Sequence, residues 1–266
     1  RGVGAIIHCA ANTSFSDDEQ RSIWRTNVHG ATNLVALARR EAPDARLVFV
    51  STASVVTAPV GTCLPEEAPF AGHENPYTRS KREAEGIVSS SDLDVVIARP
   101  SIVLSRGVDD RAMARSILWS LPIMNEIGDV PVDRDAPVDL VPADFVADAL
   151  VRLAVEPRLA HRVYHISAGR DSRTFGQILS EIVRANPEYS RIRPTGAAGR
   201  RPTGSRRLFR PIEAYLPFIN AGVRYANDRL QAEIGRAGRA PASIDYVSEL
   251  LSLISLDEAF VEMARP

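Results

Sequence analysis

Apolar residues run unbroken over residues 3–11 (VGAIIHCAA), with no period-2 alternation. Such a run fits a strand covered on both faces of a parallel sheet, so the chain is expected to open on a central strand. Over residues 19–40 the spacing changes: Ile23, Val28, Leu34, Leu37 and Ala38 fall roughly on one side of a helix, and Pro43 stops it. Residues 46–52 (RLVFVST) form a second buried strand. Asn75-Pro76 supplies an N-cap and a first-turn proline, which predicts a helix from residue 76 to about residue 88. Residues 94–100 form the third strand. Strand and helix alternating at this spacing give a parallel sheet with helices packed outside, joined by right-handed crossovers.

Beyond Ser101 the pattern loosens. Residues 111–121 read as a helix, residues 142–155 (PADFVADALVRLAV) as a strongly amphipathic one, and residues 163–167 as a short strand. From Thr174 onward the pattern is helical with breaks. Residues 191–210 carry seven Arg, no acid and several Pro and Gly, and read as a mobile loop. No internal repeat or low-complexity tract is present.

With 266 residues and 45% hydrophobic content, the chain can bury a sizeable core. Its 32 basic and 33 acidic residues nearly cancel, which leaves no long-range field for a phosphate backbone and argues against nucleic acid. Cys9 and Cys63 cannot make a disulfide framework or a metal cluster, so a reduced cytoplasm is the expected compartment. No stretch approaches the roughly 18 uncharged apolar residues of a membrane span. His29, His73, His161 and His165 have no ligand spacing, and no metal is expected. His8, inside the first strand, reads as a core histidine.

The strongest chemical feature is Tyr77 followed four residues later by Lys81, on the same face of a helix one turn apart. Taken alone, Tyr-x-x-x-Lys arises by chance as a surface tyrosine beside a solvated lysine. Composition changes that weighting, because Lys81 is the single lysine among the 32 basic residues. An ammonium is a compact charge that exchanges a proton, whereas guanidinium does not. Thr52 ends a buried parallel strand, where ligands of open α/β sheets bind, although a hydroxyl ending a strand is also common.

The segments HCAAN (8–12), TNVHGATNL (26–34), VSTAS (50–54), NPYTRSK (75–81), RPSIV (99–103) and DLVPADFVADALV (139–151) together resemble an extended short-chain dehydrogenase/reductase over about residues 3–168. The VSTAS, RPSIV and VPADFVADA forms are most similar to its thioester reductase and fatty acyl reductase branch. The resemblance implies an α/β, Rossmann-like doubly wound parallel sheet, truncated on its N-terminal side. Residues 1–105 would be the remainder of the dinucleotide-binding domain, with 139–168 returning to it. Residues 106–138 and 169–266 would form a smaller, mostly helical substrate-binding part. The resemblance makes Tyr77 the proton donor or acceptor, Lys81 its electrostatic partner and ligand of the nicotinamide ribose, and Thr52 the hydroxyl that holds the substrate oxygen. Cofactor contacts would come from Ala10, Ala11, Asn27, Tyr77, Lys81, Pro100, Ser101 and Ile102, with Asn27 in a helix-structural or water-holding role.

The implied activity is hydride transfer from NADP or NAD, with NADP favoured, to the carbonyl of a small-molecule or carrier-linked acyl thioester or of an aldehyde. Nucleotide-sugar epimerisation and nonenzymatic dinucleotide sensing are the alternatives. Ala53-Ser54 stands where the sugar dehydratases resemble Thr-Asp-Glu, which speaks against that form. A homodimer through surface helices is expected on the same ground, and the Arg-rich loop is a candidate for coenzyme phosphates. The chain departs from the family in lacking the glycine-rich phosphate loop, and no GxxGxxG occurs in it. It therefore reads as a fragment with about 60 residues missing ahead of Arg1, at roughly 30 per βαβ unit. Alone it is expected to expose an apolar sheet edge, bind cofactor badly and be inactive.

Overall fold

The computed structural model describes residues 2–56, 62–68, 75–105, 119–198, 209 and 212–234. Strand β1 (Ala5–His8) leads into helix α1 (Gln20–Trp24), which continues through a π-helical turn at Arg25–His29 into α2 (Gly30–Glu41). Strand β2 (Arg46–Val50), β3 (Cys63–Leu64), helix α3 (Pro76–Ser89), β4 (Val95–Pro100) and β5 (Ile102–Leu104) follow. Next come α4 (Ser120–Ile127), β6 (Asp129–Val130), β7 (Pro137–Val138), β8 (Leu140–Pro142), α5 (Ala143–Val155) and β9 (Val163–Ile166). The chain continues with β10 (Arg173–Thr174), α6 (Phe175–Ala185), β11 (Arg193–Pro194), α7 (Leu216–Asn220), β12 (Arg224–Tyr225) and α8 (Asp228–Ile234).

The central sheet is parallel throughout, in the order β1-β2-β4-β9. Its period-2 side chains are apolar on both faces, which explains the unbroken apolar runs. Leu47, Phe49, Val95 and Ile97 meet Ala31, Val35 and Ala38 of α2 and Ala84 and Val88 of α3. The alternate residues Val48, Val96 and Ala98 meet Val146, Ala149, Leu150 and Leu153 of α5 and Leu230 of α8. This is the Rossmann-like, doubly wound arrangement.

Among the described residues β1 is the outermost strand, hydrogen-bonded to β2, with Ile7 38% exposed, so the sheet presents the apolar edge expected of this chain taken alone.

A separate core gathers Leu104, Leu121, Met124 and Leu140 with Phe175, Ile178, Ile182, Tyr189 and Ile219. Helix α6 anchors it through a capping box, Thr174 Oγ1 accepting from Gln177 N–H and Gln177 Oε1 accepting from Thr174 N–H. Residues 111–118 of the helix predicted at 111–121 lie outside the described residues, and the helix seen there starts at Ser120. Of the Arg-rich stretch, residues 199–208 and 210 lie outside them. Its beginning is not a free loop: Arg193–Pro194 pairs in parallel with β6, and Arg191 and Arg193 form ion pairs with Glu126 and Asp129. No helix among the described residues is long and apolar enough to cross a membrane.

Candidate active site

Three strand ends converge on one crevice. Ala10 and Ala11 follow β1, Ser51 and Thr52 follow β2, and Pro100 to Ile102 spans the break between β4 and β5. Helix α3 delivers Tyr77 in its first turn because its start is doubly fixed. Asn75 Oδ1 accepts from the Thr78 N–H at 2.8 Å, Thr78 Oγ1 accepts from the Asn75 N–H at 3.1 Å, and Pro76 occupies the first turn.

Thr52 is buried, and its side-chain oxygen accepts from the Ser54 N–H at 3.3 Å. Burial pushes the Tyr77 phenol up to about 12, against an opposing pull from the Thr52 hydroxyl that faces it. Lys81, 2% exposed, donates to the Val50 carbonyl at 2.6 Å and lies 4.6 Å from the centre of the Phe49 ring. Tyr77 and Lys81 share one face of α3, and the structure sets the ammonium on the end of β2 and the phenol against Thr52.

Burial also lowers Lys81 to about 8, with Glu85 and Cys9 pulling the other way. Between about pH 8 and the unfolded value the unfolded chain binds the extra proton, so folding stability gains as pH rises through that window. Because Lys81 is the chain's one lysine, its titration is read without assignment ambiguity. In protein labelled with 13C-lysine, the single Cε resonance is expected to titrate near pH 8. A midpoint at the ordinary value of about 10.4 would show an ammonium in contact with water.

Asn27, 2% exposed, sits in the π-helical turn, a feature frequent at functional sites. Its carboxamide accepts from Asn12 N–H at 2.8 Å and donates to Asn12 O at 2.9 Å and Ser80 Oγ at 2.8 Å. It therefore clamps the loop after β1 to α3, which is the helix-structural role. His8 stacks on Phe49 with ring centres 5.6 Å apart, and burial lowers its pKa. His165, fully buried, has Nδ1 3.1 Å from Ala226 O, and no cluster suited to a metal occurs among the described residues.

Above the crevice lies a cleft of about 310 Å³ whose lining includes Thr52, Ser54 and Tyr77. Sequence reasoning missed two of its features. Asp139, buried in the lining, accepts from Ala168 N–H at 2.9 Å, Gly169 N–H at 3.3 Å and Ser172 Oγ at 2.8 Å. Gly169 turns there at φ +61°, and a Cβ would come within 2.8 Å of Asn227, so the position needs glycine. The available signal was a lone acid between apolar neighbours in PVDLVP. The second feature is a wall of aromatic rings, Phe15, Trp119, Tyr215 and Phe218, drawn from segments without a readable motif.

A UDP-glucose 4-epimerase of Vibrio cholerae is 29% identical over 185 residues, 64% of this chain and 53% of that protein. The nonribosomal peptide synthetase asaC of Aspergillus flavus is 26% identical over 180 residues, 60% of this chain and 17% of the synthetase. The chain thus spans about half the length of the first relative and a small part of the second. Among solved structures, the terminal R domain from the myxalamid PKS-NRPS biosynthetic pathway superposes with TM-score 0.68 at 23% identity, covering 96% of this chain and 68% of that one. The NAD-dependent NDP-hexosamine 5,6-dehydratase TunA gives TM-score 0.68 at 20% identity, covering 95% and 78%. These two likenesses show the Rossmann-like fold. The family of NAD-binding domains described as "Male sterility protein" matches residues 1–150, and the chain belongs to that family.

Proposed function

We propose that this chain reduces the carbonyl of an acyl thioester or an aldehyde, using NADPH or NADH. The observation that carries the reading is the cleft. The Thr52 and Tyr77 hydroxyls lie in a wall otherwise rich in aromatic and aliphatic side chains, with no Lys or Arg among the described lining residues. The nucleotide-sugar reading has in its favour the likeness to the Vibrio cholerae epimerase. A sugar diphosphate, however, calls for charge-assisted donors, which the described lining residues do not include.

The residues present suit the nicotinamide half of a dinucleotide. An ammonium has three donors, Val50 takes one, and the others are left for ribose hydroxyls. The buried Ser51 Oγ at the same strand end has no partner among the described residues. Lys81 and Tyr77 would hold the ribose, and the backbone of Ala10, Ala11 and Pro100 to Ile102 would line the ring. When bound, the dinucleotide supplies the hydride. NADPH is the favoured donor by family resemblance.

The chain's own residues manage the charge that develops on the substrate oxygen. Thr52 and Tyr77 are prepositioned donors in a partly dry cleft, where such stabilisation is strongest. Burial keeps Tyr77 protonated across neutral pH, so it has a proton to give. Lys81 holds its positive charge below about pH 8 at the end of β2, and a positive charge on the same face of α3 favours that transfer. Residues 106–138 and 169–266 supply the substrate part, and a carrier-linked acyl group is the proposed partner. Retention of Thr52, Tyr77 and Lys81 together argues against a sensor.

In the full-length protein, NADPH or NADH oxidation is expected to depend on an added acyl-CoA or aldehyde. Dinucleotide binding with no turnover across such a panel would favour nucleotide-sugar chemistry.

A further inference from the structure

We infer that the acyl group taken by this cleft carries an uncharged aromatic ring, seated against the Phe15–Tyr215 wall. The inference rests on the reductase reading for the place of the reacting carbonyl. The ring selectivity rests on the wall.

The wall is a run of near-parallel faces that begins at the proposed proton donor. Phe15 lies 5.8 Å from Tyr77 with a 19° interplanar angle, and 4.5 Å from Tyr215 with a 17° angle. Two further rings close the sides edge-on: Phe218 meets Phe15 at 5.0 Å and 63°, and Trp119 meets Tyr215 at 5.5 Å and 73°. These rings come from the loop after β1, the start of α3, the residue before α4, and α7 with the residue preceding it. Separate segments therefore converge on one arrangement. Each ring is only half-buried, and each lines the cleft.

Aromatic groups gain from offset-stacked and edge-to-face partners beyond the area they bury, and saturated groups of the same shape do not. In the lining the Tyr77 hydroxyl meets that of Thr52 and the Tyr225 hydroxyl meets that of Ser54, where a carbonyl would react, and Phe15 carries the run of rings on from Tyr77. At about 310 Å³ it stands at the small end of ligand clefts, which suits a compact ring in preference to a long chain. The buried Asp139 in the lining disfavours a carboxylated or phosphorylated ring.

The test compares phenylacetyl and cyclohexylacetyl thioesters of N-acetylcysteamine. They have the same skeleton, and a methylene insulates the carbonyl from the ring. With full-length protein and saturating NADPH, kcat/KM is expected to favour phenylacetyl by about tenfold or more. Phe15→Leu and Tyr215→Leu should each reduce that ratio to about threefold or less, and Phe218→Leu serves if either fails to fold. Calorimetric binding of phenylacetamide and cyclohexylacetamide runs alongside. Equal turnover of the two thioesters, or preference for cyclohexylacetyl, overturns the inference and leaves the reductase reading standing. No turnover of either ends the thioester form of the reductase reading. The amide pair then decides the wall: tighter phenylacetamide binding that is lost in Tyr215→Leu supports it, and equal binding overturns it.

Discussion

Replacing Tyr77 by phenylalanine is expected to lower acyl-dependent oxidation of reduced nicotinamide by at least about a hundredfold while leaving the fold in place. The substitution deletes one oxygen and keeps the ring that stacks on Phe15. A positioned general acid contributes about 10²–10⁴ in rate, and Tyr77 is the donor that burial keeps charged with its proton, at about 12. The structural cost should be small, since the phenol's facing partner Thr52 retains its bond from Ser54 N–H. Losing one such hydrogen bond costs about 1 kcal/mol. The readout is single-turnover decay of reduced-nicotinamide absorbance at saturating substrate, with a thermal melt on the same sample. A loss below about threefold with an unchanged melt would remove Tyr77 from the proton-donor role.

What sequence reasoning reads well here is whatever repeats with a period. β2 and β4 are legible because both faces of each are covered, so Leu47 and Phe49 are as apolar as Val48. Helix α3 is legible because Asn75, Pro76 and Thr78 state its start in local chemistry. Lys81 is legible for another reason: the chain uses arginine at every other basic position, so a buried lysine marks itself.

The far wall of the cleft is hidden for a physical reason. Tyr215 and Phe218 stand at a helix of five residues, and β6, β7, β10, β11 and β12 are two residues each, too short to carry any period. Their placement comes from long-range contacts such as Arg224 N–H to Thr62 O, which a single sequence does not display. The π-helical turn at Arg25–His29 escapes notice as well, since helical spacing on either side of it masks a local change of register. The bond from Lys81 to the Val50 carbonyl belongs here too: the spacing sets which face a side chain shares, and the strand end decides where its tip goes.

The site also depends on an ion pair that no motif announces, and Glu85→Ala is expected to cost about 3–5 kcal/mol of folding stability. Arg99, at the end of β4, donates to Glu85 Oε1 at 2.9 Å and Oε2 at 2.6 Å, and to the Glu66 carbonyl at 3.0 Å. Both side chains are about 5% exposed or less, so removing the carboxylate takes two charge-assisted hydrogen bonds from a guanidinium held in low dielectric. The pair joins α3, one turn past Lys81, to the strand that runs into Pro100 to Ile102. Its loss should therefore loosen the crevice as well as the fold. At about 2–4 °C per kcal/mol for a domain of this class, the melting midpoint should fall by about 10 °C. Glu85→Met with Arg99→Met distinguishes an electrostatic cause from a packing one, because an apolar pair in place of a buried ion pair is often neutral. Recovery of most of the lost stability in the double variant, read as the coupling in a double-mutant cycle, is the expected result. A double variant as unstable as the sum of the single ones would show that the two side chains act by filling space, and that their charges do not hold α3 to the sheet.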